Sequence, residues 1–304
     1  MRPGDVSDLD CAIAQAAGVV GDWWTLLIVR DVVGGTNRFE ALQRSLGVSR
    51  KVLTERLSRL VGNGVLRRVR YQDRPPRHEY VLTEAGQGLL PVLVSLQDWG
   101  TRYVMGDGSV TATSSATSLE SRRMQRLVGT EVPAVRLAGT AGADVDPLEA
   151  GNWTVLYCFP GAFAPGSHGY PRNWGDIPGA GGCTLESITY RERAGAFAAA
   201  GAVVRGVSTQ RPDQLEAFAA HAELPFPLLS DQDNRLTAAL RLPAFRASGQ
   251  LRLKRLTLLV DQQRRIRAVQ FPILDPVASV DEALGLLADL AAGASQTGAA
   301  EDHE

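Results

Sequence analysis

Residues 106–120, GDGSVTATSSATSLE, carry no apolar period, and they divide the chain into two blocks whose hydrophobic residues repeat differently. Before this stretch the apolar residues return every three to four positions, the period of a helix. After it, short apolar runs alternate with helical patterns, which calls for a central sheet. One packed layer does not serve both patterns, and 304 residues leave room for two cores. Two domains are therefore expected at residues 1–105 and 123–292. Residues 106–122 read as a flexible linker and 293–304 as a disordered tail.

In the first block, CAIAQAAGVVGDWWTLLIVRDVV predicts two helices broken near Gly21. RFEALQRSLG predicts a short helix closed by Gly47, and Ser49 is placed to cap the helix SRKVLTERLSRLVGNG. Leu53, Leu57 and Leu60 mark the buried stripe of that helix, leaving Arg50, Lys51, Thr54 and Arg56 outside. VLRRVRYQDRPPRHEYVLT predicts a hairpin around a proline-containing turn. Helix, short helix, tight turn, basic helix and basic hairpin form the winged helix-turn-helix order. The helix LLPVLVSLQDWGTRYV then offers an apolar stripe suited to pairing with another subunit.

A net charge of −1 conceals a strong local imbalance. Between residues 38 and 78 stand eleven basic residues against three acidic ones, a local excess of eight. Such a cationic block in a near-neutral chain is the footprint of a polyanion partner, usually nucleic acid.

These features together resemble the HxlR family of winged-helix transcription regulators. The resemblance covers residues 11–100 and is carried by Cys11, GDWWTLLIVRDVVGGTNRFEAL, VSRKVLTERLSRLVGNGVLRRVRY, RPPRHEYVLTEAG and the closing WG. It implies a homodimer on palindromic double-stranded operator DNA, with one recognition helix per half-site. Ser49, Arg50, Lys51, Thr54 and Arg56 would then face the major groove, while Arg68, Arg70, Arg74 and Arg77 would hold flanking phosphates. The resemblance also makes Cys11 a candidate sensor of oxidants or electrophiles.

In the second block WTVLYCFP and AGAVVRGVST predict buried strands on either side of a helix over 185–199. LPFPLLSD, DNRLTAALRLP and LKRLTLLVDQQRRIRAVQFP continue the alternation, and DEALGLLADLAA closes it. Within it, Cys183 stands behind GAGG at a helix start, where backbone N–H groups favour a thiolate. No Lys-Ser/Thr follows the glycines, so they do not make a phosphate loop.

The block resembles the peroxiredoxins of the thioredoxin fold, nearest to their Q-type members. YCFP, GCTLESITYRERAGAF, VRGVSTQRPDQLEAFAAHAELPFPLLSD and KRLTLLVD carry the likeness over residues 125–290. It implies that Cys183 is the peroxidatic thiol, with Glu186 three residues on and Arg255 as the cation that lowers its pKa. Thr184 is expected to hydrogen-bond the loop, the peroxide or the arginine. The chain departs from the family pattern of Pro, three residues, Thr, two residues, Cys. Counted from Pro160, that pattern falls on Ala164 and Ser167, and Cys183 follows the extra stretch SHGYPRNWGDIPGAGG. The family's resolving position, five residues after the thiol, is Ile188. A resolving partner must then be Cys158, Cys11 or an external thiol, while Cys158 also reads as a small buried hydrophobe in its strand.

The fold class expected is a mainly α winged helix-turn-helix followed by an α/β thioredoxin-like domain. No run of about 18 apolar residues exists and MRPGDVSDLDC lacks a signal pattern, so a cytoplasmic, reducing setting without a membrane partner is expected. Three cysteines do not make a disulfide framework there. His78, His168, His221 and His303 lack ligand spacing, so neither a metal nor a cofactor is expected. The function expected is a redox-responsive transcription regulator that senses peroxide or electrophiles through Cys183. The rival reading is a thiol peroxidase with an autoregulatory DNA-binding head, drawing on thioredoxin or a low-molecular-weight thiol as reductant.

Overall fold

A computed structural model describes residues 11–301 except 141, 167–169 and 172, without the side chains of 293–301. Ser167 and His168 fall outside the described residues. The chain divides into two compact units, Met1–Leu93 and Val94–Glu304.

The first unit begins with α1 (Ala12–Val20) and α2 (Trp23–Val33), separated at Gly21. Asp22 caps α2 by accepting from Thr25 N at 3.2 Å. α3 (Phe39–Leu46) ends on Gly47 at φ +63°, a left-handed conformation that glycine adopts without strain. The next helix, α4 (Arg50–Gly62), is capped by the Ser49 hydroxyl, which accepts from Val52 N at 3.3 Å. Leu53, Leu57 and Leu60 of α4 meet Ile28 and Val29 of α2 and Leu42 of α3 in one core, with Val65 and Leu66 beneath the hairpin. Each buried leucine of this kind is worth about 2–5 kcal/mol against truncation to alanine. β1 (Leu66–Gln72) pairs antiparallel with β2 (Arg77–Leu82), with Leu66 opposite Leu82 and Arg70 opposite His78. α5 (Glu84–Gln87) and α6 (Leu90–Trp99) follow, the division between units falling within α6, which runs into a π-helical turn over Gly100–Val104.

The second unit is built on a seven-stranded mixed sheet. After α7 (Leu119–Gln125) come β3 (Leu137–Gly139), β4 (Asp144–Val145), β5 (Trp153–Cys158) and a 3₁₀ turn over Trp174–Asp176. Then come α8 (Cys183–Ala199), β6 (Ala202–Ser208), α9 (Pro212–His221), β7 (Leu228–Ser230) and α10 (Arg235–Leu240). The hairpin β8 (Ala244–Ala247) and β9 (Gln250–Leu253), then β10 (Leu256–Val260), β11 (Ile266–Gln270) and α11 (Ala278–Glu301) complete it. The sheet order is β11-β10-β5-β6-β7-β3-β4; β5, β6 and β7 run parallel and β10 antiparallel to β5. Every residue of β5 is buried, as a strand covered on both faces requires. Its Trp153, Val155 and Tyr157 join the core of α8, α9 and α11, while Leu156 and Cys158 join that of α7 and α10.

The linker expected at 106–122 is instead packed into the second unit. Ala112 is fully buried, and its N–H donates to Pro178 O at 2.8 Å. The hydroxyls that suggested flexibility serve the backbone: Thr111 Oγ1 accepts from Thr113 N at 3.2 Å, and Ser118 Oγ accepts from Ser121 N at 3.0 Å to cap α7. Side chains that satisfy backbone groups in this way replace an apolar period as the source of order. Ahead of this segment, Gln97 Nε2 donates to Leu242 O at 2.8 Å, so the closing turns of α6 belong to the second unit too. The tail expected to be disordered from 293 continues α11 as helix through Glu301, in keeping with its alanine content; residues 302–304 lie outside the description.

Lys254 Nζ donates to Glu120 Oε2 at 2.8 Å and to Thr113 O at 3.1 Å, and both members of the ion pair are about 5% exposed. Glu120→Ala leaves a buried ammonium without its counterion. It is expected to cost about 3–5 kcal/mol, read as a lower urea midpoint, whereas the double replacement Glu120→Met with Lys254→Met loses far less.

Candidate functional site

The first unit presents a cationic face. Arg50, Lys51 and Thr54 are exposed on α4, whose inner leucines fix the orientation of its outer side. Arg50 also stacks over Phe39, 4.9 Å from the ring centroid. Ser49 is spent as the helix cap, accepting a backbone N–H rather than standing free. Arg56 departs from expectation: its guanidinium pairs with Asp22 at 3.1 Å and with Glu55 at 3.2 Å, and so braces α4 against the start of α2. Arg68, Arg70, Arg74 and Arg77 are exposed on the hairpin. Two of them also shape it: Arg68 Nη2 donates to His78 Nδ1 at 2.9 Å, and Arg70 pairs with Asp73 at 3.1 Å. Cys11 stands just before α1 as a half-buried free thiol, and its side chain makes no capping hydrogen bond.

The second unit holds a thiol site at the start of α8. The parallel pairing of β5 with β6 fixes the sheet, and the register places Leu256 opposite Cys158. Arg255, the residue before β10, is thereby carried to the end of β5, where α8 begins. Its Nη2 donates to Cys183 Sγ at 3.3 Å and to Gly181 O at 2.6 Å, while Nη1 pairs with Glu186. Arg255 and Glu186 are both buried, as is the thiol at 2% exposure. The thiol donates to Ala180 O at 3.5 Å and receives the Gly161 N–H from the loop after β5. Gly182 precedes it at φ +92°, and a side chain there would strike Pro276 at 2.7 Å; glycine meets both demands.

Electrostatics at this site oppose one another. Burial pushes the Cys183 thiol up from its ordinary value; Arg255 pulls it down, and the Glu186 charge pushes it up again. Arg255 lowers the thiol's pKa as expected, but burial is the larger effect, because the cation is already shared with a carboxylate. Glu186 itself is pushed up to about 7 by burial, against Arg255, and its Oε1 has no partner among the described residues.

Within the second unit the structure brings Cys183, Glu186 and Arg255 into contact, while Thr184 and Cys158 take no part in those contacts. Thr184 is half-buried and its hydroxyl makes no hydrogen bond among the described residues, so it holds neither loop nor arginine. The loop instead depends on Gln210, whose side chain accepts from Ala162 N and donates to Ala162 O, both at 2.8 Å. Gln210 was missed, although a glutamine just past the apolar run AGAVVRGVS is a polar residue at a strand end, where loops are commonly tied. Cys158 points from β5 into the core opposite that of Cys183, and burial pushes its thiol far up. As a resolving partner in the folded state it is misplaced, because adjacent strand residues face opposite sides.

A winged-helix unit with a cationic face, joined to a thioredoxin-like unit with a cysteine, arginine and glutamate at a helix start, defines a DNA-binding protein with a peroxiredoxin-like domain. The HxlR-like helix-turn-helix family model matches residues 19–107 and the AhpC/TSA family model residues 177–269. An uncharacterized HTH-type transcriptional regulator of Mycobacterium tuberculosis (strain ATCC 25618 / H37Rv) is 45% identical over 93 residues, 31% of this chain and 59% of that protein. The chain thus spans little more than half of that relative. The regulator YvaP of Bacillus subtilis (strain 168) is 34% identical over 91 residues, 30% of this chain and 84% of its own length. Solved structures similar to the chain include peroxidoxin BcpB of Mycobacterium tuberculosis, at 26% identity and TM-score 0.44, covering 53% of this chain and 95% of that one. Xanthomonas campestris peroxiredoxin Q matches at 24% identity and TM-score 0.44, over 54% and 99% of the two chains. The chain belongs to the HxlR-like helix-turn-helix regulators and carries an AhpC/TSA-family, peroxiredoxin-like domain behind its DNA-binding unit.

Alkylation of Cys183 by a neutral reagent is expected to rise with pH, with a midpoint above the ordinary cysteine value of about 8.5. Arg255→Gln removes the charge that favours the thiolate and is expected to lower the rate at pH 7.5 by roughly tenfold or more, one pKa unit being a factor of ten in thiolate. An unchanged profile in Arg255→Gln contradicts the assigned role.

Proposed function

We propose that the protein is a cytoplasmic, redox-responsive transcription regulator that binds palindromic operator DNA as a dimer and senses peroxide or electrophiles through Cys183. The observation that carries this reading is a thiol bonded by Arg255, itself paired with Glu186, in a chain that also bears an HxlR-like head. Dimerisation is supported by the exposed Val92, Leu96 and Trp99 of α6 and by Tyr103 and Val104 of the turn after it. Placement in the cytoplasm accords with its families, and no single helix among the described residues is long and apolar enough to cross a membrane.

In the sensing step the Cys183 thiolate attacks the O–O bond of the peroxide, forming a sulfenic acid and releasing hydroxide, which takes up a proton to leave as water. The attacking thiolate has already given up the hydrogen that Ala180 O accepts, and oxidation then adds an oxygen at this buried sulfur. The loop 178–182 is then held by Arg255 at Gly181 O and by the Ala112 N–H at Pro178 O. Loosening this loop frees the segment that leads back toward α6, which biases the dimer.

Two measurements bear on this reading. Operator binding by gel shift is expected to change on treatment with hydrogen peroxide in wild type and to stay constant in Cys183→Ser; equal affinity throughout sinks the sensing role. Replacing Arg50 and Lys51 together by alanine is expected to weaken binding on every sequence tested and to reduce the slope of log affinity against log salt by about 2.

The completeness of the Cys183, Arg255 and Glu186 site also supports the second reading, a thiol peroxidase with an autoregulatory head. Catalytic consumption of peroxide at the expense of thioredoxin or a small thiol distinguishes it from a sensor that reacts once per signal.

A further inference from the structure

The strand segment LRLKRL places three cations in four residues, and their fates differ. Lys254 is neutralised by Glu120, and Arg255 by Glu186. Arg252 has no such partner. It is 6% exposed, its Nε makes no hydrogen bond, and among the described residues no carboxylate or carbonyl accepts from its guanidinium. Buried cations are normally paired, so an unanswered guanidinium marks a place where an anion belongs.

Its surroundings say what kind. Arg252 stands opposite Phe245 in the β8–β9 hairpin, and its guanidinium carbon lies 5.7 Å from the Phe163 ring centroid. Phe163 meets Tyr170 edge-on at 4.8 Å, Tyr170 meets Trp174 at 5.9 Å, and Trp174 meets Phe245 at 6.3 Å. Four aromatic rings thus follow one another from Phe163, beside the guanidinium, to Phe245, the residue paired with Arg252 across the hairpin. Gly161 connects this ring to the thiol. Its N–H reaches Cys183 Sγ, and the position its Cβ would take lies 3.3 Å from Phe163 and 3.6 Å from Arg252 Nη1.

We propose that Arg252 is a carboxylate-binding subsite beside Cys183, and that the preferred oxidant is an organic hydroperoxide with an aromatic or apolar body and a carboxylate head. The inference rests on Cys183 as the peroxide-reactive thiol. The sulfur attacks the distal oxygen of the hydroperoxide, the S–O bond forms as the O–O bond breaks, and the thiol is oxidised to sulfenic acid. The hydroperoxide is reduced to the alcohol, whose oxygen takes the thiol proton. The carboxylate stays ionised against Arg252 throughout, and the rings hold the body in place.

The test uses the full chain and a matched pair of probes, cumene hydroperoxide and its para-carboxylated form, with hydrogen peroxide alongside. Oxidation of the Cys183 peptide is followed by mass spectrometry. Wild type is expected to favour the carboxylated probe by about tenfold, the factor that about 1.4 kcal/mol of differential binding supplies. In Arg252→Gln the ratio of the two rates falls to about one whatever the absolute rates. Arg252→Lys gives an intermediate ratio, as a point charge without the fork of a guanidinium should. A wild-type ratio near one overturns the inference even if Arg252→Gln fails to fold, and so does a ratio that survives in Arg252→Gln. If hydrogen peroxide oxidises Cys183 while the ratio is one, only the subsite is lost; if none of the three oxidises it, the sensing reading falls as well.

Discussion

The second unit turns on one buried guanidinium. Arg255 has little water around it, so its five donors must find acceptors inside the protein, and it finds them on Glu186, Gly181 O and Cys183 Sγ. Those acceptors belong to the first turn of α8 and to the loop before it. The arginine itself is delivered by the register of β10 on β5. Sheet, helix and loop therefore meet at a single side chain. The arrangement also explains why burial wins at the sulfur: Arg255 divides its charge between a thiol and a carboxylate, and neither receives the whole of it.

The neighbouring Lys254 gives the segment 111–121 a similar dependence. By holding Glu120 and Thr113 O it fastens that segment to the strand which also carries Arg255. The stretch that divides the two hydrophobic patterns in sequence thus contributes to the second core through a buried alanine and a set of short hydroxyl contacts. In the first unit the equivalent economy is seen at Arg56, where a residue of α4 is spent on the cap of α2.

Much of this was legible beforehand. Leucines at a helical interval announced the inner face of α4, Gly47 and Ser49 marked its approach, and β5 was evident from an unbroken apolar run. Cys183 stood out as a thiol at a helix start, and Glu186 and Arg255 were found through the resemblance to the peroxiredoxins, whose pattern they match. What was hidden depends on contacts between residues far apart in the chain. No local pattern shows that Arg56 finds Asp22, that Gln210 ties the loop at Ala162, or that serines and threonines at 111–121 bond their own backbone. The burial that opposes Arg255 at the thiol was hidden for the same reason, since helix position can be counted from sequence but depth of burial cannot.

β5 has one more effect. Because its residues alternate between two cores, Tyr157 lies on the side of Cys183 and Cys158 on the other, and the sheet itself stands between the two sulfurs. An oxidised Cys183 is thereby insulated from the cysteine twenty-five residues before it. On the proposed sensing role, an oxidised Cys183 would wait for a thiol from outside that core, and the lifetime of the signal would follow the supply of reductant as its onset follows the supply of oxidant.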